Sequence, residues 1–160
     1  MMEQVKGGDL FEFLAAMEAD QVSEDQAKYM FKQLLRAVGY LHEKDIVHRD
    51  LKPENVMLVD KSARPRLKIT DFGEAKDLTG GNACKTHIGT ELTMAPETFM
   101  LVRKYAGRAS VKTIDGKIAD VWGLGVILHV MLVIRFRVQG SGFRVQGSGL
   151  RVYPPRHARH

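Results

Sequence analysis

The apolar positions of this chain change period along its length, and the changes mark the elements. Gly7-Gly8 interrupts the opening segment; Asp9 then offers a helix cap, with Glu12 three residues later as in a capping box. A short helix is predicted from there to about Glu18. Ser23 and Gln26 repeat the signal, and Ala27, Met30, Phe31, Leu34, Leu35, Val38 and Leu41 follow at spacings of three and four. That is one buried stripe on a longer helix ending near Glu43. Short apolar runs then replace the helical period. Ile46-Val47, Val56–Val59 and Leu67–Thr70 read as strands, and the turn-rich Asp60–Pro65 predicts a hairpin between the last two.

Residues 71–97 keep no sustained period and contain four glycines, which predicts a long functional or disordered loop. Ile118–Val133 is apolar almost all round. Sixteen helical residues reach about 24 Å, short of a hydrocarbon core of roughly 30 Å. The stretch also carries Asp120 and His129, so it predicts a buried central helix and no membrane span. Phe136–Gly142 and Phe143–Gly149 both read FRVQGSG, and Leu150-Arg151-Val152 opens a degenerate third copy. Two Gly/Ser-rich units are too few for a solenoid and read as flexible low-complexity sequence.

Charge sharpens the division. Residues 1–134 hold 18 Lys+Arg against 19 Asp+Glu, whereas residues 135–160 hold 6 Arg and no acid. The net +5 therefore belongs to the tail. A nucleic-acid-binding domain would spread that charge over a folded face, so no specific nucleic-acid partner is expected. The tail leaves open a contact with an acidic membrane or a nucleic acid. A single cysteine, Cys84, excludes an internal disulfide framework and fits a reducing compartment. No basic-then-apolar leader opens the chain, so cytoplasm or nucleus is the expected location.

The chemistry concentrates in His48-Arg49-Asp50-Leu51-Lys52-Pro53-Glu54-Asn55, between two strands, and in Asp71-Phe72-Gly73, directly after the third. Two acids, an amide and a lysine suit a magnesium-bound polyphosphate. Magnesium takes oxygen ligands, few of them from protein, and Lys52 is suited to offset charge on a transferring group. At these residues the sequence resembles the eukaryotic protein kinases. Positions 48–55 match their catalytic loop, 71–73 their metal-binding triplet, and Ala95-Pro96-Glu97 follows in the family's order.

The resemblance implies an α+β, mainly helical fold: the large lobe of a kinase over residues 1–134, without the small lobe and the last helices, then a basic tail over 135–160. It implies ATP and Mg2+ as cofactors and a protein substrate. Asp50, Lys52 and Asn55 would be catalytic, Lys52, Glu54, Asn55 and Asp71 would bind the cofactor, and Asn55 and Asp71 would hold the metal. Lys52 two residues after Asp50 is the serine/threonine pattern. His48 would pack inward and support the loop, not act as a base. Asp120 would bind the loop backbone from below. Arg49 would pair with a phosphorylated residue of the following loop, for which Thr86 and Thr90 are the candidates. Gly7-Gly8-Asp9-Leu10-Phe11 resembles calcium/calmodulin-dependent-type kinases, which implies calmodulin-type or upstream-kinase regulators. Residues 3–5 would border the adenine.

Departures from the family pattern are equally specific. No Gly-x-Gly-x-x-Gly loop and no strand lysine in a Val-Ala-Ile-Lys context occur in the chain. Thr93 stands where the family expects tyrosine, and residues 98–119 are long. Three readings follow: a weak or silent phosphotransfer half of a serine/threonine kinase, a kinase-like binding module without turnover, or a partial gene product.

Overall fold

The computed structural model describes residues 7–16, 22–81, 93–105 and 114–137. Helix α1 (Leu10–Ala16) starts as its cap predicts, with the Glu12 amide donating to Asp9 Oδ1 at 2.7 Å. Helix α2 (Glu24–Glu43) carries the full reciprocal box. The Gln26 amide donates to Ser23 Oγ, and the Ser23 amide donates to Gln26 Oε1. Two of the four orphan amides of the first turn are thus satisfied without water. Part of the expected stripe is buried: Ala27, Met30, Leu34 and Val38 join Leu10 and Leu14 of α1 in the core, whereas Phe31 and Leu41 are half-buried and Leu35 is exposed, because no described element covers that edge of the helix.

The strands are short. β2 (Val56–Leu58) and β3 (Leu67–Ile69) form the expected antiparallel hairpin, pairing Val56 with Ile69 and Leu58 with Leu67. β1 (Ile46–Val47) pairs instead with β4 (Lys76–Asp77), which carries no strand signature in the sequence. Residues 71–81 are therefore tightly organised: a 3-10 turn at Phe72–Glu74, then β4, then another turn at Thr79–Gly81. Gly7 fits only because it lacks a side chain, since a Cβ there would stand 2.3 Å from the Leu58 carbonyl oxygen.

Helix α3 (Pro96–Tyr105) was not expected, although Pro96 at its first position and Glu97 in its first turn are start signals. Helix α4 (Gly116–Arg137) contains the predicted apolar stretch but is not buried all round. Asp120, Gly123, Leu124, Ile127 and Met131 face inward, whereas Ile118, Val121 and Trp122 are 58%, 60% and 45% exposed. The reason is geometric: α1, α2 and β1 pack on one side of α4, and an apolar residue is buried only where another element meets it. α4 continues through Arg137, three residues past the expected domain edge. None of the described helices is long and apolar enough to cross a membrane.

Candidate active site

The loop between β1 and β2 is fastened to α4 by one carboxylate. Asp120, 1% exposed, accepts from the His48 amide on Oδ2 at 2.9 Å and from the Arg49 amide on Oδ1 at 2.7 Å. Oδ2 also takes the His42 Nε2 at 2.8 Å. A buried carboxylate needs such partners to offset the loss of hydration. One turn further along α4, Gly123 provides the seat for Leu51: a Cβ at 123 would lie 2.8 Å from both Leu51 Cβ and Leu51 O. The loop therefore rests directly on helix backbone.

Arg49 adopts φ +69°, the left-handed region that L residues seldom occupy. Held by Asp120 on its amide, it turns the chain so that His48 points inward and Asp50 follows on the loop's other side. His48 is fully buried, with Nε2 2.9 Å from the Thr70 carbonyl oxygen and Nδ1 accepting from the Asp50 amide at 3.3 Å. A carbonyl only accepts, so Nε2 carries the proton and Nδ1 is the acceptor. Both nitrogens are committed, which matches the expected supporting role and leaves none for base chemistry. Its ring meets Phe72 edge-on at 5.0 Å.

Asp50 is nearly buried, and its Oδ2 receives Lys52 Nζ at 2.7 Å and Asn55 Nδ2 at 3.1 Å. Asn55 Nδ2 also donates to the Asp50 carbonyl at 2.8 Å. With both amide hydrogens spent on Asp50, Asn55 Oδ1 is the atom left to meet a cation. The Asn55 carbonyl accepts from Thr70 N at 2.9 Å and from Thr70 Oγ1. That bond fixes the residue immediately before Asp71. Asp71 is itself left-handed at φ +59°, exposed, and accepts from the Gly73 amide.

The structure thus joins Asp50, Lys52 and Asn55 by direct contact and links Asp71 to them through the β3 backbone. Glu54 is exposed in the turn Pro53–Asn55. Arg49 Nε donates to the Glu74 carbonyl, which ties the loop to the segment after Asp71. Thr86, Thr90, Cys84 and residues 3–5 lie outside the described residues. An oxygen-donor set of one amide and one carboxylate fits magnesium, whose other ligands are phosphates and water. Among the described residues no group of three or more His, Cys, Asp or Glu is arranged to hold a metal ion.

Two positioning residues escaped the sequence reading. The grip of His42 on Asp120 has no signature in the spacing. Gly123 did have one, because a glycine inside an apolar helix often marks a close backbone approach.

A buried loop of this composition, backed by a carboxylate-bearing helix and followed by a left-handed Asp-Phe-Gly turn, is the arrangement that the kinase resemblance implies. The chain belongs to the protein kinase domain family, whose model matches residues 1–144. It is 43% identical over 142 residues to the serine/threonine-protein kinase SAPK3 of Oryza sativa subsp. indica, covering 89% of this chain and 39% of that protein. It is 46% identical over 133 residues to the serine/threonine-protein kinases SRK2A of Physcomitrium patens and SRK2I of Arabidopsis thaliana. Those matches cover 83% of this chain but only 34% and 33% of the relatives. The chain thus spans between a third and two-fifths of the length of these relatives.

Proposed function

We propose that the chain carries the phosphoacceptor half of a serine/threonine kinase site, and that by itself it transfers phosphate weakly or not at all. The observation that carries this is the Asp50 carboxylate held between Lys52 and Asn55, with Asn55 tied to the backbone of Asp71. In this reading Asp50 accepts or orients the proton of a protein hydroxyl. Lys52 releases part of its hold on Asp50 to meet the transferring group. Asn55 and Asp71 hold magnesium, and Glu54 lies at the edge of the nucleotide site. Bound Mg-ATP supplies the transferable phosphoryl group and the cation that offsets its charge. His48, His42, Asp120 and Gly123 keep the loop in place.

The weakness of the isolated chain follows from what its 160 residues lack: the Gly-rich phosphate cover and the strand lysine. Removing one preorganised charge-stabilising group costs about 10²–10³ in rate. The same lack supports the second reading, a kinase-like binding module without turnover. The calcium/calmodulin-dependent subgroup finds no support in the relatives' names and is left aside. An upstream regulator acting on Thr86 or Thr90, and residence in cytoplasm or nucleus, remain part of the proposal.

Purified chain, Mg-ATP and a serine/threonine-rich acceptor protein test it. Transfer should not exceed that of Asp50→Asn. A thermal shift with millimolar Mg-ATP should appear in the parent and vanish in Asp71→Asn. Absence of any shift would reject the nucleotide-site assignment. Robust turnover abolished in Asp50→Asn would instead overturn the claim of weakness.

A further inference from the structure

Away from the site, α2 carries a second stripe beside the core: Asp25, Tyr29, Lys32, Arg36, Tyr40 and Glu43, at spacings of four, three, four, four and three. Tyr29 is half-buried against the core, the middle is cationic, and Asp25 and Glu43 stand at the ends, with Lys44 Nζ 6.0 Å from the Tyr40 ring. Lys32 and Arg36 are exposed, and neither has a carboxylate partner among the described residues. One turn before Lys32 and on the same face, Lys28 pairs with Glu24 at 2.8 Å in the usual i,i+4 fashion. A like-charge i,i+4 pair such as Lys32 and Arg36 costs an isolated helix stability, so the fold gains nothing from it.

A third cation is brought to this stripe from the hairpin. Gln26 Nε2 donates to the Ala63 carbonyl at 2.9 Å, and Gln33 Nε2 donates to the Pro65 carbonyl at 3.0 Å. Gln33 Oε1 accepts from the Leu67 amide at 3.0 Å. Two side chains of α2 thus tie down the residues on either side of Arg64. The Arg64 guanidinium lies 5.8 Å from the centre of the Tyr29 ring, within cation–π range. Tyr29, Lys32 and Arg36 lie within eight residues of helix, about 10 Å from first to last.

We infer that Lys32, Arg36 and Arg64 form a docking surface for an acidic peptide segment of a protein partner. Charge complementarity selects the chemistry. Length and the flanking charges select the class. A nucleic acid site typically neutralises about six to ten phosphates along a continuous track. Here Asp25 and Glu43 close both ends of the stripe and repel a polyanion that runs past them. A short run of carboxylates fits between them. The fixed guanidinium over Tyr29 sets where the first carboxylate sits, with little ordering cost on binding. The surface does not depend on the catalytic reading and would serve a silent module equally well.

The test is fluorescence anisotropy with the full chain and a labelled twelve-residue peptide of Glu and Ser, at low and moderate salt. The basic tail is the same in every variant, so differences report the stripe. Lys32→Ala with Arg36→Ala should weaken binding about tenfold, and Arg64→Ala about threefold, since an exposed pair is worth up to about fivefold. Lys28→Ala adjoins the surface, but its charge is already met by Glu24, so its loss should cost no more than about twofold. Circular dichroism checks that each surface variant is folded. Equal affinity of parent and double variant would overturn the inference and assign the binding to the tail. So would absence of binding, or a twelve-nucleotide RNA that binds more tightly through the same three residues.

Discussion

Asp120 is the residue on which the site's geometry hangs, because one buried carboxylate answers three donors. Asp120→Ala leaves two backbone amides and an imidazole unmatched, and should cost at least about 3 kcal/mol of stability in a denaturant titration. His42→Phe keeps the ring and removes only one of the three bonds, so about 1 kcal/mol is expected from the same measurement. The motif residues Asp50, Lys52, Asn55 and Asp71 were legible in the sequence because their side-chain chemistry is local and densely spaced. His42 was not: it stands 78 positions from Asp120, and only folding brings them together. The exposure of Trp122 was not legible either, since an apolar side chain announces its own preference and says nothing of its neighbours.

At the level of elements, capping chemistry gave the most reliable signals. Ser23→Ala should destabilise by about 1 kcal/mol, read from the thermal midpoint, through loss of one side of its reciprocal box. The β2–β3 hairpin was readable from its two apolar runs and the turn between them. β4 and α3 were missed for different reasons: a two-residue strand is too short to show a period, and α3 has start signals but only a weak apolar face. Turns also titrate. Hydrogen bonds from the Thr79 hydroxyl and amide hold the Asp77 carboxyl below its ordinary value, and Ser62 does the same for Asp60. A lowered carboxylate supports the fold above its unfolded pKa, and that support is lost as pH falls through the folded value. NMR titration should therefore place both midpoints below the usual carboxylate range, and Thr79→Val should return Asp77 toward it.

At the scale of the whole molecule, the packed unit formed by the described residues is one-sided. α1, α2, the hairpin and the loop cover one face of α4, while Ile118, Val121 and Trp122 stay outside. The chain has a single tryptophan, which makes that openness measurable. Acrylamide should quench the native emission strongly, with little further gain on unfolding. A native Trp122 as protected as a core residue would contradict the arrangement. This one-sidedness is why the central helix looked dry from its composition and proved half wet.

Gly123 gives the architecture an adjustable dimension. Because Leu51 lies directly on its backbone, the thickness of α4 at that point sets the height of the Asp50 loop, while Asp71 hangs from a separate strand. A methyl group inserted there works as a shim beneath one jaw of a vice. Gly123→Ala and Gly123→Val would raise Asp50 stepwise relative to Asp71 while altering neither acid, grading the distance between the two carboxylates.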